Sequence, residues 1–104
     1  MQKIAFTMKL RPGFKEEYKR RHDAIWPGLR SLLKKSGISD YSIFLDDRTD
    51  TLFAVQRNSG NHSSSDLSGN EIIRKWWTYM ADIMETNADH SPVMHSLEMM
   101  FHLD

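Results

Sequence analysis

Tyr18, His22 and Trp26 follow one another at intervals of four residues, and no other part of the chain is better suited to chemistry. Side chains at that spacing project from neighbouring positions of one helix face. Histidine, with an unperturbed pKa of about 6.5, gives or takes a proton near neutral pH. A second aromatic group stands at Trp76 and Trp77 within KWWTYM, residues 75–80. A tryptophan ring offers a flat apolar face to the C–H groups of a sugar and an N–H donor at its edge. Tyr41 supplies another hydroxyl from a segment between the two. Together these types suit proton transfer on a polyhydroxylated ligand better than on a flat aromatic one.

Each feature also has a plainer reading. A histidine on a core-facing stripe is often structural, with both ring nitrogens satisfied. Adjacent tryptophans on a helix lie about 100° apart, so one of Trp76 and Trp77 is expected in the core and the other at an edge. Lys19-Arg20-Arg21 reads as a solvated helix face, with Arg21 a candidate to orient a ligand. His62, His90, His95 and His102 lack the spacing of a metal site. The serines at 63–65 have no partner pattern for nucleophilic catalysis. The 7 methionines suit an adaptable core or a dimer contact.

The elements that must position these residues follow from periodicity. Residues 2–10 alternate, with Ile4, Phe6, Met8 and Leu10 on one side, which predicts a strand ended by Pro12-Gly13. From Phe14 the period becomes helical through Tyr18, Ile25, Leu29, Leu32 and Leu33, with Phe14 on the stripe that faces the sheet. Pro27 removes a backbone hydrogen bond, so two helical pieces are expected to meet near Ile25–Trp26, the second beginning at Pro27. Gly37 is the natural stop. Residues 38–46 and 51–58 read as strands joined by a hairpin loop. Tyr41, Ile43 and Leu45 share one face and Phe44 the other; Phe53 and Val55 oppose Leu52 and Ala54. Residues 58–70, NSGNHSSSDLSGN, read as loop. An amphipathic helix is expected over 70–85, and a last strand over 93–103 through Leu97, Met99, Phe101 and Leu103.

This order, β-α-β-β-α-β, is that of an α+β ferredoxin-like domain: a four-stranded antiparallel sheet with helices on one face. The other face would carry apolar side chains without cover, which marks an association surface, and a homodimer is the simplest cover. A length of 104 residues predicts one domain spanning 1–104. Such a chain hides roughly 60–70% of its unfolded surface, so a ligand pocket would use much of its core. The net charge is 0, against a basic face for nucleic acid or anionic membrane. With 0 cysteines, disulfides, thiolate metal sites and cysteine catalysis are excluded, and a cytoplasmic location is expected. The first residues show no apolar run of signal-sequence length.

The motifs EEYKRRH-x-x-IWPGL at 16–29, YSIFLD at 41–46, LFAV at 52–55 and KWWTYMADIM at 75–84, followed by Asn87, Asp89, Ser91 and Pro92, resemble the L-rhamnose mutarotase family. The resemblance runs from the first strand to Phe101-His102-Leu103. It implies a dimeric α+β barrel, a cytoplasmic homodimer, and interconversion of the α and β anomers of L-rhamnose without metal or organic cofactor. It implies that His22 is the proton donor and that Tyr18, Tyr41, Trp76 and Trp77 contact the sugar. Ring opening needs a proton delivered to the ring oxygen and one removed from the anomeric hydroxyl. The remover stays open among Tyr18, Asp89 and a bound water. The chain departs from the family at 58–70, where a more helical, tryptophan-containing stretch is usual, which bears on one wall of the site. Two other classes share the fold order: an RNA-binding module that stacks bases on sheet aromatics, against which the neutral charge counts, and a small-ligand-binding or cofactor-free monooxygenase-type barrel.

Overall fold

A computed structural model describes residues 2–59, 67 and 69–104. Along the chain the elements are β1 (Gln2–Lys9), α1 (Lys15–Asp23), α2 (Pro27–Lys35), β2 (Ile38–Asp46), β3 (Thr51–Asn58), α3 (Glu71–Met80) and β4 (His95–Ser96). The strands form one antiparallel sheet in the order β2-β3-β1-β4.

Alternation decides the faces. Phe6 and Met8 of β1 and Leu52 and Ala54 of β3 are buried, and they pack in one cluster with Leu29 of α2 and Ile73, Trp76 and Met80 of α3. The helices therefore cover one side of the sheet. On the other side Phe44 and Phe53 are cross-strand partners, and they remain 63% and 37% exposed.

Proline divides the helical stretch where its chemistry requires. Trp26 is extended, at φ −60° and ψ 130°, as a residue before proline prefers. Pro27 then occupies the first turn of α2, where its missing N–H costs nothing. Gly37, at φ 86°, follows α2 in the left-handed conformation that glycine adopts freely. At the start of α3 the Asn70 side-chain oxygen accepts a hydrogen bond from the Ile72 N–H at 2.9 Å, capping the helix.

Three expectations need correction. The helix expected over 70–85 ends at Met80. Its continuation is captured by the end of β1: the Arg11 N–H donates to the Ile83 carbonyl at 2.8 Å and the Glu85 N–H to the Lys9 carbonyl at 3.0 Å. Those bonds replace the helical ones. The strand expected over 93–103 is confined to His95–Ser96 on β1, with one further bond from the Leu97 N–H to the Ala5 carbonyl. Alternation in a sequence reports a face that needs cover and does not itself supply a pairing partner. Here Leu97, Met99, Phe101 and Leu103 are exposed. Phe14, expected on the sheet-facing stripe, precedes the first helical residue and is 36% exposed. The loop expected over 58–70 lies mostly outside the described residues, as does His62.

Candidate active site

His22 sits in the last turn of α1. Its Nδ1 lies 3.0 Å from the backbone oxygen of Tyr18, one helical turn earlier. A carbonyl oxygen only accepts, so Nδ1 carries the proton and Nε2 holds the lone pair of the neutral ring. The Tyr18 ring stacks on the imidazole at 4.2 Å and 26°, and the Trp76 ring meets it edge-on at 5.4 Å and 89°. Burial among these rings lowers the His22 pKa below its ordinary value, outweighing the Tyr18 carbonyl and the Asp23 charge. The ring is therefore neutral at neutral pH. Burial also pushes the Tyr18 hydroxyl far up, with nearby Tyr41 adding to the shift, so that phenol keeps its proton.

Tyr41 reaches the same space through an irregularity in β2. Pairing steps from Ser39↔Arg57 to Ser42↔Val55, so three positions on β2 pass against two on β3. The extra residue is accommodated at Asp40, whose φ of 47° lies in the left-handed region that aspartate tolerates better than most residues. The Asp40 carboxylate accepts a hydrogen bond from Arg57 Nε at 3.2 Å. Because of this bulge both Ile38 and Tyr41, three positions apart, line the helix-side cavity.

Trp76 is buried and Trp77 partly so, packed at the edge of the core, which matches the division expected for adjacent tryptophans. Tyr18, His22, Tyr41, Trp76 and Trp77 all line one cavity of about 700 Å³. Lys15, Lys19, Asp23 and Asp40 are charged residues of its lining, and Met8, Leu45 and Met94 contribute apolar wall. Such a space combines apolar surfaces with a few polar groups, as small-molecule sites do.

Other residues fall elsewhere. Trp26 is not part of the lining; it stands edge-on against Trp76 at 5.0 Å. Arg21, read from sequence as solvated, is buried and paired with Asp82 and Glu17. A guanidinium is satisfied inside a protein only by such partners, and they lie beyond the reach of helix periodicity. Asp89 is also absent from the lining, its carboxylate accepting from the Ser91 N–H at 3.0 Å and from the Ser91 hydroxyl. His90, set aside in the sequence for want of metal-site spacing, does line the cavity, with Nδ1 3.1 Å from the Thr78 hydroxyl. Among the described residues no cluster of three or more histidine, cysteine, aspartate or glutamate side chains could hold a metal ion, and no helix is long and apolar enough to cross a membrane.

Sheet, helices and cavity define a small α+β domain with an aromatic-lined cavity that holds a neutral histidine in its wall. The sequence profile of the L-rhamnose mutarotases matches residues 3–103. An L-rhamnose mutarotase of Formosa agariphila is 54% identical over 104 residues, covering 100% of both chains. One from Flavobacterium johnsoniae is 58% identical over 100 residues, 96% of this chain and 94% of its own. The crystal structure of L-rhamnose mutarotase from Formosa agariphila superposes with a TM-score of 0.93 at 51% identity, each chain covered to 100%. The chain belongs to the L-rhamnose mutarotase family.

Proposed function

We propose that this protein is an isomerase that interconverts the α and β anomers of L-rhamnose, with His22 as the catalytic residue and Tyr18, Tyr41, Trp76 and Trp77 holding the sugar. The observation that carries the reading is a neutral imidazole in the cavity wall whose tautomer is fixed by the Tyr18 carbonyl. In a pyranose the anomeric carbon bears both the hydroxyl that loses a proton and the ring oxygen that gains one. His22 Nε2 takes the proton from the anomeric hydroxyl. The C–O bond to the ring oxygen breaks as the aldehyde C=O forms, and the imidazolium returns the proton to the ring oxygen. Rotation about C1–C2 presents the other face of the aldehyde, and closure runs the transfers in reverse.

Three observations support giving both transfers to one residue. The resting imidazole is neutral, so it must take a proton before it gives one. Tyr18 holds its own proton too tightly to serve as the base. Asp89 does not line the cavity. The tyrosine hydroxyls are left to hydrogen-bond the sugar's hydroxyls and the tryptophan rings to cover its C–H face.

The same reading makes the domain ferredoxin-like and pairs it with a second copy. Phe44, Phe53 and Val55 on the open sheet face and the apolar residues of the C-terminal segment are the surfaces such a pairing would cover. Sedimentation velocity is expected to give a dimer, and Phe44→Asp is expected to shift it towards monomer.

The activity is tested by saturation-transfer NMR of L-rhamnose anomers with and without protein. Acceleration at catalytic protein concentration is the expected result. Binding of the sugar without faster exchange would replace the enzyme reading with that of a sugar-binding protein.

A further inference from the structure

Arg21 precedes His22 and points away from the cavity, into the junction between α1 and the end of α3. It is 9% exposed, although arginine is seldom buried. Its Nη1 donates to the Tyr79 carbonyl at 2.8 Å, an oxygen in the last turn of α3. Nη1 and Nη2 grip the two oxygens of Asp82 at 2.8 and 3.1 Å, and Nε donates to Glu17 Oε2 at 2.7 Å. The guanidinium also lies over the Tyr79 ring, 4.6 Å from its centroid. That ring in turn packs against Trp26 and Trp76, at 5.6 Å from each.

The planar guanidinium thus fixes direction as well as distance, which a flexible ammonium would not do. It is also one of only two buried residues in α1, the other being Tyr18. A helix with so little apolar contact takes its orientation from its directional bonds. We infer that Arg21 is a positioning residue: its fork on Asp82 and the Tyr79 carbonyl sets α1 against α3 and thereby the placement of the His22 ring beside Trp76. The inference rests on the reading of His22 as the group that moves the proton. Asp82 is 65% exposed on its side chain, so solvent screens the pair and its value lies in geometry more than in stability.

Arg21→Lys keeps the charge and loses the fork. The expected result is a fall in kcat of roughly 10-fold or more, since small misplacements of a reacting group cost rate steeply, with KM changed by less than about 3-fold. The His22 ring proton signals are expected to move in the NMR spectrum while the melting temperature falls by only a few degrees. Asp82→Asn, at an exposed position, is expected to reproduce the kcat loss in smaller measure and serves if an Arg21 variant fails to fold. Unchanged kcat and unchanged His22 signals in folded variants would overturn the proposal and leave Arg21 a purely structural residue. The ring signals are read without substrate, so they decide the positioning role even if the wild-type protein leaves L-rhamnose exchange unaccelerated, a result that would count against the activity alone.

Discussion

The two helices that bring aromatic walls to the cavity are held by different forces. α3 buries Ile73, Trp76 and Met80 and begins with a capping asparagine. α1 buries Tyr18 and Arg21, has no side-chain cap, and ends after nine residues. Apolar burial is strong and indifferent to direction; a guanidinium fork is directional and, beside an exposed carboxylate, contributes modestly to stability. α3 is the foundation and α1 the aimed part. The residue assigned to proton transfer rides on the second kind of helix, where a change of aim costs little folding energy.

Substitutions can break this contrast, beginning with the largest effect. His22→Ala is expected to lower the enzyme-catalysed anomer exchange by roughly 10²–10⁴-fold, the usual contribution of a positioned acid or base. Its melting temperature should move by a few degrees, because Tyr18 and Trp76 stay packed in the core without the ring; near-full exchange in this variant would remove His22 from the mechanism. Ile73→Ala should show the converse. Emptying that buried site of α3, which also borders the cavity, is expected to cost about 2–5 kcal/mol in urea unfolding, with kcat of the remaining folded protein reduced far less than in His22→Ala.

The pH dependence separates the His22 ring from the clamp that holds its helix. His22 has its pKa lowered by burial, so its neutral form persists below the ordinary value of about 6.5. Exchange corrected for the uncatalysed rate should be flat near neutrality and fall only as pH drops below that value. Stability has the same sign: the unfolded chain binds this proton more readily, so acidification below about pH 6.5 disfavours the fold. The α1 clamp outlasts this window, since Arg20 and then Arg21 hold the Glu17 carboxyl down at about 2 and Arg21 lowers that of Asp82. Loss of activity on acidification below about pH 6.5 with the clamp signals intact is the expected pattern. Smallest of all, Asn70→Ala should cost about 1 kcal/mol at the start of α3, against about 0.3–0.5 kcal/mol for Lys19→Ala, which breaks only an exposed pair with Asp23 on α1. A larger loss at Lys19 than at Asn70 would invert the ranking of the two helices.

How far the sequence reveals this arrangement depends on the range of the forces involved. β1, β2, β3 and the break at Pro27 rest on alternation and on proline chemistry, both local, and they lie where those signals place them. The facing of Tyr41 with Ile43 and Leu45 is local too. Residue type groups Tyr18, His22 and Tyr41 with the tryptophan pair, and the family motifs name the same positions, but the contact of His22 with Trp76 comes from the packing of α1 on α3, which the four-residue spacing of one helix does not contain. Arg21 was misread because its burial is decided by Asp82, 61 positions later. The end of α3 and the shortness of β4 were equally hidden, since both depend on which carbonyls of β1 compete for the chain.

The extra residue at Asp40 has a consequence for how this protein can change. Downstream of it, Ile43 and Leu45 pair with the buried Ala54 and Leu52, and that register is set by the hairpin with β3. Deleting Asp40 would set Tyr41 opposite Gln56 between the Ser39–Arg57 and Ser42–Val55 pairs, so β2 would pair without a break and Tyr41, Ile43 and Leu45 would keep their side of the sheet. A single codon therefore adjusts the bend of β2 beside Tyr41, and a lineage that loses it can keep both the cavity wall and the outer face of the sheet.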